Sequence, residues 1–443
     1  MAVSRIRARP DAALPLSRAE AVLTAAALSP AAQLCVALSG GVDSVVLLHV
    51  LQTLRERAAL CGRLSAAHVH HGLSPHADDW AAHCQALCDR LGIELTLLRV
   101  EVERGSPDGL EAAARRARHA ALSQLPADWL VFGHHQDDQA ETILFRLLRG
   151  SGVRGLAAMR ACEPGRLRPL LGVRREEIVA YARAQGLSWV EDESNADSRF
   201  TRNFLRNEVL PCLERVFPAA VPALARGAEN FAEADELLAE LAELDGVACG
   251  GAVLKVEALQ ALPEPRLRNL LRARIHALGF DAPPRARLCE AVRQLREARG
   301  PALRIPLGEL ACCLYRGELW LETLAAEPPV ECGWSGQAEL PWGAGRVCFE
   351  ETPGAGIARR VLAQGPVRLG ARREGLKMRV MEGRPRRSFK NLCQEAGVPP
   401  WLRDRLPVLY VAGEPVWIAG VGLAPEAVCR ADEPGILPTW RRS

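Results

Sequence analysis

The chain has 443 residues, 49% of them apolar and 25% charged, and its 56 Lys and Arg against 53 Asp and Glu leave a net charge of +3. That length suits two or three domains with cores of their own, and the composition is that of an ordinary globular protein rather than a disordered or fibrous one. No apolar run approaches the ~20 residues of a membrane span, and the basic start Met1-Ala2-Val3-Ser4-Arg5 lacks the apolar stretch of a secretory signal, so a cytoplasmic location is expected. The fourteen cysteines are scattered and form no C-x-x-C pair. Cys84 and Cys88, four apart, read as small core residues of a reduced protein.

Ser17-Arg18-Ala19-Glu20 has the form of a capping box and predicts a short first helix. Strand-like runs at 34–38, 64–69, 94–102 and 129–132 then alternate with helical runs at 44–55, 76–91, 110–122 and 137–148. That alternation predicts a parallel sheet with right-handed crossovers, which binds ligands beyond the C-terminal ends of its strands. Residues 150–215 continue the domain through an extended link at Arg168-Pro169-Leu170-Leu171 and helices at 174–185 and 203–215, and a long Ala/Leu/Glu helix at 219–245 leaves the sheet. The expected fold class is α/β: a parallel-sheet catalytic domain over 1–215, a mostly helical middle domain over 216–327, and a small α+β C-terminal domain over 328–443. Ala325-Ala326-Glu327-Pro328-Pro329 is the expected linker.

Three motifs fall at strand ends. Ser39-Gly40-Gly41-Val42-Asp43-Ser44 is a glycine-rich turn between a strand and a helix, the geometry that holds phosphate on backbone amides. It lacks the Lys of a Walker A loop, and the first lysine of the chain is Lys255. Gly40 and Gly41 let the backbone approach a pyrophosphate, Ser39 and Ser44 offer hydroxyls, and Asp43 can hold magnesium. His70-His71-Gly72 ends the second strand, beside that loop, where nucleotide contact competes with a plain strand-end turn. Gly133-His134-His135-Gln136-Asp137-Asp138-Gln139-Ala140-Glu141-Thr142 opens the fourth helical run, with Asp137 and Glu141 on one face. Acidic residues in a first turn also simply suit the helix dipole, but two imidazoles and this many carboxylates exceed what capping needs. Magnesium ligation, recognition of a cationic substrate and general-base work are all open, whereas adjacent His134 and His135 do not make an H-x-x-x-H zinc pair.

On the third helical run Glu111 and Arg115 form an i, i+4 pair, followed by Arg116 and Arg118. A surface salt bridge is the default for such a pair. With no lysine in this half of the chain, however, an arginine must answer developing phosphate charge. Farther on, Arg372, Arg373, Lys377, Arg379, Arg384, Arg386, Arg387 and Lys390 face only Glu374 and Glu382 along the sequence. Such a stripe is competent to bind nucleic-acid phosphate, a solvated basic face being the alternative.

The turn at 39–44 resembles the pyrophosphatase loop of the N-type ATP-pyrophosphatases (the PP-loop superfamily, with an adenine nucleotide alpha hydrolase-like fold). Together with His70-His71-Gly72-Leu73-Ser74, Glu111-Ala112-Ala113-Ala114-Arg115, the run 133–142, Arg149-Gly150-Ser151-Gly152, Arg168-Pro169-Leu170-Leu171, Glu191-Asp192-Glu193-Ser194-Asn195 and Arg202-Asn203-Phe204-Leu205-Arg206, it is similar to bacterial tRNA(Ile)-lysidine synthases. Arg372-Arg373-Glu374-Gly375-Leu376 and Val398-Pro399-Pro400-Trp401 resemble that family's terminal tRNA-binding domain. Where the family usually has Tyr after the second arginine of its A-R-x-x-R-Y helix, Arg118 is followed by His119.

The resemblance implies an ATP-dependent carbon–nitrogen ligase. It would join L-lysine to C2 of the wobble cytidine in the CAU anticodon of an isoleucine tRNA, through an adenylated cytidine. The codon read would change from AUG to AUA and the amino acid from methionine to isoleucine. ATP is the co-substrate, expected on Ser39, Gly40, Gly41, Val42, Asp43, Ser44 and His70, with Mg2+ on Asp43. Catalytic roles are expected for Asp43, Arg115, His134, Asp137 and Glu141, with Asp137 and Glu141 receiving the lysine. tRNA contact is expected from Arg202, Asn203, Arg206, Arg372, Arg373, Lys377, Arg379 and Arg387. The partners are the isoleucine tRNA and free L-lysine, with no membrane and with a homodimer left open. A PP-loop tRNA thiolase and a non-catalytic tRNA- or nucleotide-binding module are the rival readings; the missing C-x-x-C counts against the first and the full acidic set against the second.

Overall fold

Apolar runs alternating with amphipathic stretches give a sheet covered by helices, seen here in a computed structural model that describes residues 11–441 except 61, 104, 106–109, 194–196, 301, 324–329 and 344. The start of the chain, the expected linker at 325–329 and Ser194-Asn195 lie outside the described residues, as does the Glu111 side chain. The chain divides into two units, Met1–Leu238 and Ala239–Ser443.

The first unit opens with α1 (Leu14–Ala25), whose first turn carries Pro15. Ser17 therefore lies inside the helix, and its hydroxyl donates to the Leu14 carbonyl (3.1 Å) instead of forming the expected capping box. Then come β1 (Gln33–Ala37), α2 (Val42–Glu56), β2 (Arg63–His70), α3 (Ala77–Leu91), β3 (Glu94–Arg99), α4 (Leu110–Leu122), β4 (Trp129–Val131) and α5 (Gln136–Leu148), matching the alternation read from the sequence. A short α6 (Val153–Leu156) and the hairpin β5 (Cys162–Glu163) and β6 (Arg166–Leu167) follow, then α7 (Arg175–Ala184). Strand order is β3-β2-β1-β4-β6-β5, parallel apart from the β5–β6 hairpin. Because β1 pairs with β2 on one side and β4 on the other, the sheet's switch point lies at the C-terminal ends of β1 and β4, where such sheets bind ligands.

Helix α2 is apolar almost all round: Val45, Val46, Leu47, Leu48, Val50 and Leu51 are fully buried. It lies between the sheet and helices α1 and α7, so both of its long faces are covered. A helix held on two sides fixes the loop before it, which is the glycine-rich turn. Cys84 and Cys88 are fully buried in the same core, as expected. After α7 the chain forms α8 (Thr201–Phe204), a π-helical stretch (Leu205–Val209) and α9 (Leu210–Val216), where the sequence reads as one helix, and then the long α10 (Ala220–Ala248).

The second unit differs from expectation in its first part. The middle segment has its helices, α11 (Val256–Ala261), α12 (Glu264–Ala277) and α13 (Arg285–Glu297), but it also has a four-stranded antiparallel sheet. Its strands are β7 (Leu254–Lys255), β8 (Ala302–Pro306), β9 (Leu310–Tyr315) and β10 (Glu318–Thr323), in the order β7-β10-β9-β8. The central β9 is a continuous apolar run buried between neighbours, so it shows no period-2 signal. The C-terminal part carries a five-stranded and a four-stranded sheet around a shared core with short helices. The Arg-rich segment forms a two-stranded ribbon there, Lys377–Met378 against Arg387–Ser388.

Candidate active site

The turn 39–44 closes on itself through its serines. Ser44 Oγ donates to the Gly41 carbonyl (3.0 Å) and accepts from the Ser39 amide (3.1 Å), with Ser39 Oγ 3.1 Å away. Gly40 is the position that must be glycine: its φ is +86°, and a Cβ there would lie 2.9 Å from Val190 Cγ2. Gly41 then caps α2 with an extended backbone, so the Val42 and Asp43 amides lie in a first turn, where no intrahelical acceptor exists. Gly133, at the end of β4, packs directly on this turn; a Cβ there would meet Asp43 C and O at 3.0 Å.

Beside the turn lies a cleft of about 1410 Å³, lined by Ser39, Gly41–44, His70, His71, Arg118, His134, Asp137, Asp138, Glu141, Arg174, Arg206 and the acidic Glu191, Asp192 and Glu193, among others. It exceeds the ~300–1,000 Å³ of a single small-ligand pocket. His135, fully buried, joins its two acidic walls. Its Nδ1 accepts from the Asp138 amide (3.4 Å) while Asp138 Oδ2 accepts from the His135 amide (3.0 Å), a reciprocal cap on α5. Its Nε2 lies 3.6 Å from Asp43 Oδ1 and 3.5 Å from Asp138 Oδ2.

The carboxylates of α5 are all met by arginines from later in the chain. Arg174 reaches Asp137 (Nε–Oδ2 3.3 Å) and Glu214 (2.9 Å), and the Arg175 amide donates to Asp137 Oδ2 (2.9 Å). Arg206 spans two acids, with Nη2 on Asp138 Oδ1 (2.7 Å) and Nε on Glu141 Oε1 (2.5 Å), and Arg202 Nε approaches Glu141 Oε2 at 3.3 Å. Burial is the largest influence on Asp138 and pushes its carboxyl up, but His135 and Arg206 outweigh it and hold the group down at about 2. Asp43 goes the other way: burial, reinforced by Asp138, raises it. Its Oδ1 is buried and makes no hydrogen bond among the described residues.

That orphaned oxygen fits a hard cation, which takes one or two carboxylates and completes its shell with phosphate and water oxygens. Among the described residues there is no group of three or more His, Cys, Asp or Glu that would enclose a metal by itself.

Of the residues singled out from sequence, the cleft gathers Ser39, Gly41, Val42, Asp43, Ser44, His70, His134, Asp137, Glu141 and Arg206, with Gly40 shaping the turn from behind. Three others of the first unit, Arg115, Arg202 and Asn203, stand elsewhere. Arg115 is exposed on α4 and does not line the cleft; Arg118, nearly one turn later, does, with a buried and unbonded Nε. Arg202 is committed to Glu141, and Asn203 donates to the Asp197 carbonyl (3.1 Å). His134 lines the cleft but is a poor proton acceptor, because burial, with Arg168, Arg202 and Arg115 nearby, pushes it down to about 3. His70 pairs with Asp78 (3.1 Å). His119, which replaces the usual tyrosine, lies 5.9 Å from the Phe132 ring, and Phe132 lies 5.7 Å from His134, so an aromatic row survives the exchange. Sequence reasoning gave no role to His135, Arg174 and Glu214, and named Arg118 only as one of three arginines on its helix that could answer phosphate charge. Only His135 carried a local signal, as the residue just before an acidic first turn.

A PP-loop domain model matches residues 16–213, a TilS substrate binding domain model residues 254–320, and a TilS substrate C-terminal domain model residues 367–440. The tRNA(Ile)-lysidine synthase of Azoarcus sp. (strain BH72) is 57% identical over 425 residues, 95% of this chain and 94% of its own. That of Aromatoleum aromaticum is 56% identical over 428 residues, 95% of this chain and 100% of its own, and that of Chromobacterium violaceum 44% over 427 residues, 92% and 94%. The chain belongs to the tRNA(Ile)-lysidine synthase family.

In the segment matched by this family's C-terminal model, folding changes the charge balance read from the sequence. Arg372 pairs with Asp404 (2.9 Å), Arg373 with Glu331 (3.1 Å), Arg379 with Glu426 (3.6 Å), Arg386 with Glu414 (3.6 Å) and Arg387 with Glu395 (2.5 Å). Arg373 also stacks on Tyr410, its guanidinium 4.2 Å from the ring centroid. Lys377, Arg384 and Lys390 are exposed and make no ion pair among the described residues.

Proposed function

We propose that this chain ligates L-lysine to C2 of the wobble cytidine in an isoleucine tRNA with a CAU anticodon, using ATP. The observation that carries the chemistry is a single cleft with a phosphate end and a cation end. The turn 39–44 presents amides and hydroxyls, and in the same cleft the acids of α5 hold guanidiniums where an ammonium would bind. A thiolase reading has no support from the family models, which assign both later segments to the lysidine synthase family.

In the first half-reaction the cytidine O2 attacks the α-phosphorus of ATP, the α–β bridge breaks and pyrophosphate leaves. Ser39, Ser44 and the amides of the turn hold the departing oxygens, and Arg118 supplies the fixed charge first sought in Arg115. Asp43 would hold Mg2+ there, and that ion, when bound, neutralises charge on the leaving pyrophosphate. In the second half-reaction the lysine Nζ attacks C2 and AMP leaves with the former O2. Nζ must first lose a proton. Glu141 suits that task, because burial raises its carboxyl against the pull of Arg206; Asp137 would orient the ammonium. The division into domains at 1–215, 216–327 and 328–443 assigns catalysis to the first and tRNA contact to the other two.

Pyrophosphate release from ATP tests this reading directly. It should require tRNA, and lysine should turn the adenylated tRNA into product; release equal with and without tRNA would point to a simple nucleotide hydrolase. Glu141→Ala should slow the lysine step by about 10²–10⁴-fold, the range for loss of a general base, and spare adenylation. Equal loss of both steps would remove Glu141 from the lysine site.

A further inference from the structure

Arg206 occupies the cleft in an unusual way. It lines the cavity, bridges Asp138 and Glu141, and leaves both acids without an unshared cation site. Each α5 carboxylate is met by an arginine: Asp137 by Arg174, Asp138 by Arg206, and Glu141 by Arg202 and Arg206. The cation position on Asp138 and Glu141 is therefore already filled as the cleft stands. Remove Arg206 alone and Asp138 loses its paired arginine while Glu141 keeps only Arg202, a vacancy that one lysine ammonium would fill.

Arg206 differs from its neighbours in two respects. It is carried by the π-helical stretch Leu205–Val209, set between α-helical turns, and such stretches concentrate at functional sites. Repacking to α-helical spacing rotates every side chain on it relative to α5. It also lines the same cleft as the turn 39–44, so bound phosphates can compete with Asp138 and Glu141 for its guanidinium. Arg202, by contrast, reaches Glu141 from outside the cavity, and Arg174 is pinned between Asp137 and Glu214.

We propose that Arg206 is a displaceable internal cation that fills the ammonium subsite of the empty cleft and is drawn off Asp138 and Glu141 by the phosphates of bound ATP, so that lysine is admitted after nucleotide. The proposal rests on the reading that Glu141 faces the lysine ammonium. It gives Arg206 a positioning role and accounts for selection of a cationic amino acid. A neutral side chain in the subsite would leave Asp138 without its cation and Glu141 with Arg202 alone, whereas an ammonium replaces what Arg206 gave up.

The test needs no variant at first. Lysine binding to the full-length protein is measured calorimetrically with and without the non-cleavable analogue α,β-methylene-ATP. The analogue should tighten lysine binding by about tenfold or more, and lysine should tighten analogue binding by the same factor, as linkage requires. Equal lysine affinity in the two conditions would overturn the proposal. Arg206→Gln should bind lysine equally well with or without the analogue, and lysine, but not norleucine, should raise its Tm. Retained nucleotide dependence in Arg206→Gln would overturn the proposal, as would a Tm unmoved by lysine. Arg206→Lys, which keeps one cation, should retain the dependence. A Glu141→Gln protein that binds lysine with unchanged affinity would instead remove the underlying reading of the subsite, whatever the analogue does.

Discussion

His135 lets Asp43 and Asp138 share one wall of the cleft. An imidazole whose Nδ1 is used as a helix cap turns its Nε2 toward both carboxylates. The three groups form a unit, so Asp43 should be sensitive to changes that leave the fold alone. Asp43→Asn removes a charge that burial already disfavours, and it should unfold at the same temperature or slightly higher while pyrophosphate release falls about 10²–10³-fold, the cost of losing one charge-stabilising group. A large drop in Tm would mean that Asp43 has a mainly structural role. His134 makes the complementary case. Held at about 3, it stays neutral through the working range, so its NMR titration should show no midpoint between pH 5 and 8. The local motif made Asp43, His134, Asp137 and Glu141 legible in the sequence, because all lie beside strand ends. Arg174 and Arg206 were not legible as partners of α5, since they meet Asp137 and Asp138 from 37 and 68 positions away.

Among the elements, the parallel sheet was readable because its strands are short apolar runs between amphipathic helices of ordinary length. The middle sheet was not, because Leu310-Ala311-Cys312-Cys313-Leu314-Tyr315 gives no period and its edge strand carries Arg304 among apolar residues. The closest fit between elements is that of β4 on the turn 39–44 through Gly133. Gly133→Ala should push the two apart, costing about 1–3 kcal/mol of stability and weakening ATP binding beyond the loss in stability, measured by Tm and nucleotide titration together. Wild-type ATP affinity would show that the turn yields without consequence. In the C-terminal part, the pairing of Arg372, Arg373, Arg379 and Arg387 would move the expected phosphate contacts toward Lys377, Arg384 and Lys390. Reversing the charge of those three should weaken tRNA binding and flatten its salt dependence more than reversing Arg372 and Arg373, with ATP binding unchanged. The opposite ranking would return the contacts to the paired arginines, whose surface salt bridges of about 0–1 kcal/mol are easily exchanged.

For the molecule as a whole, five histidines of the first unit, His49, His68, His71, His119 and His134, are held below their ordinary value, with burial as the largest cause in each. Their folded pKa values lie below the unfolded value, so the unfolded chain takes up protons first as the pH falls below about 6.5. Stability is thus full above that pH and declines on the way down toward about 4, where His119 titrates in the fold. Asp43, Glu141 and Glu177, raised by burial, act in the opposite sense but are fewer. Thermal unfolding should move to lower temperature between pH 7.5 and 5; a flat profile would contradict the burial of these rings.

The phosphate end, the acidic face of α5 and the family shared with lysidine synthases converge on one reaction, and mass spectrometry of its product tests that most directly. Isoleucine tRNA with a CAU anticodon, incubated with the protein, ATP, magnesium and lysine, should yield a wobble cytidine heavier by one lysine less one water, and only when lysine is present. The same product without added lysine, or a sulfur-containing base in its place, would contradict the account.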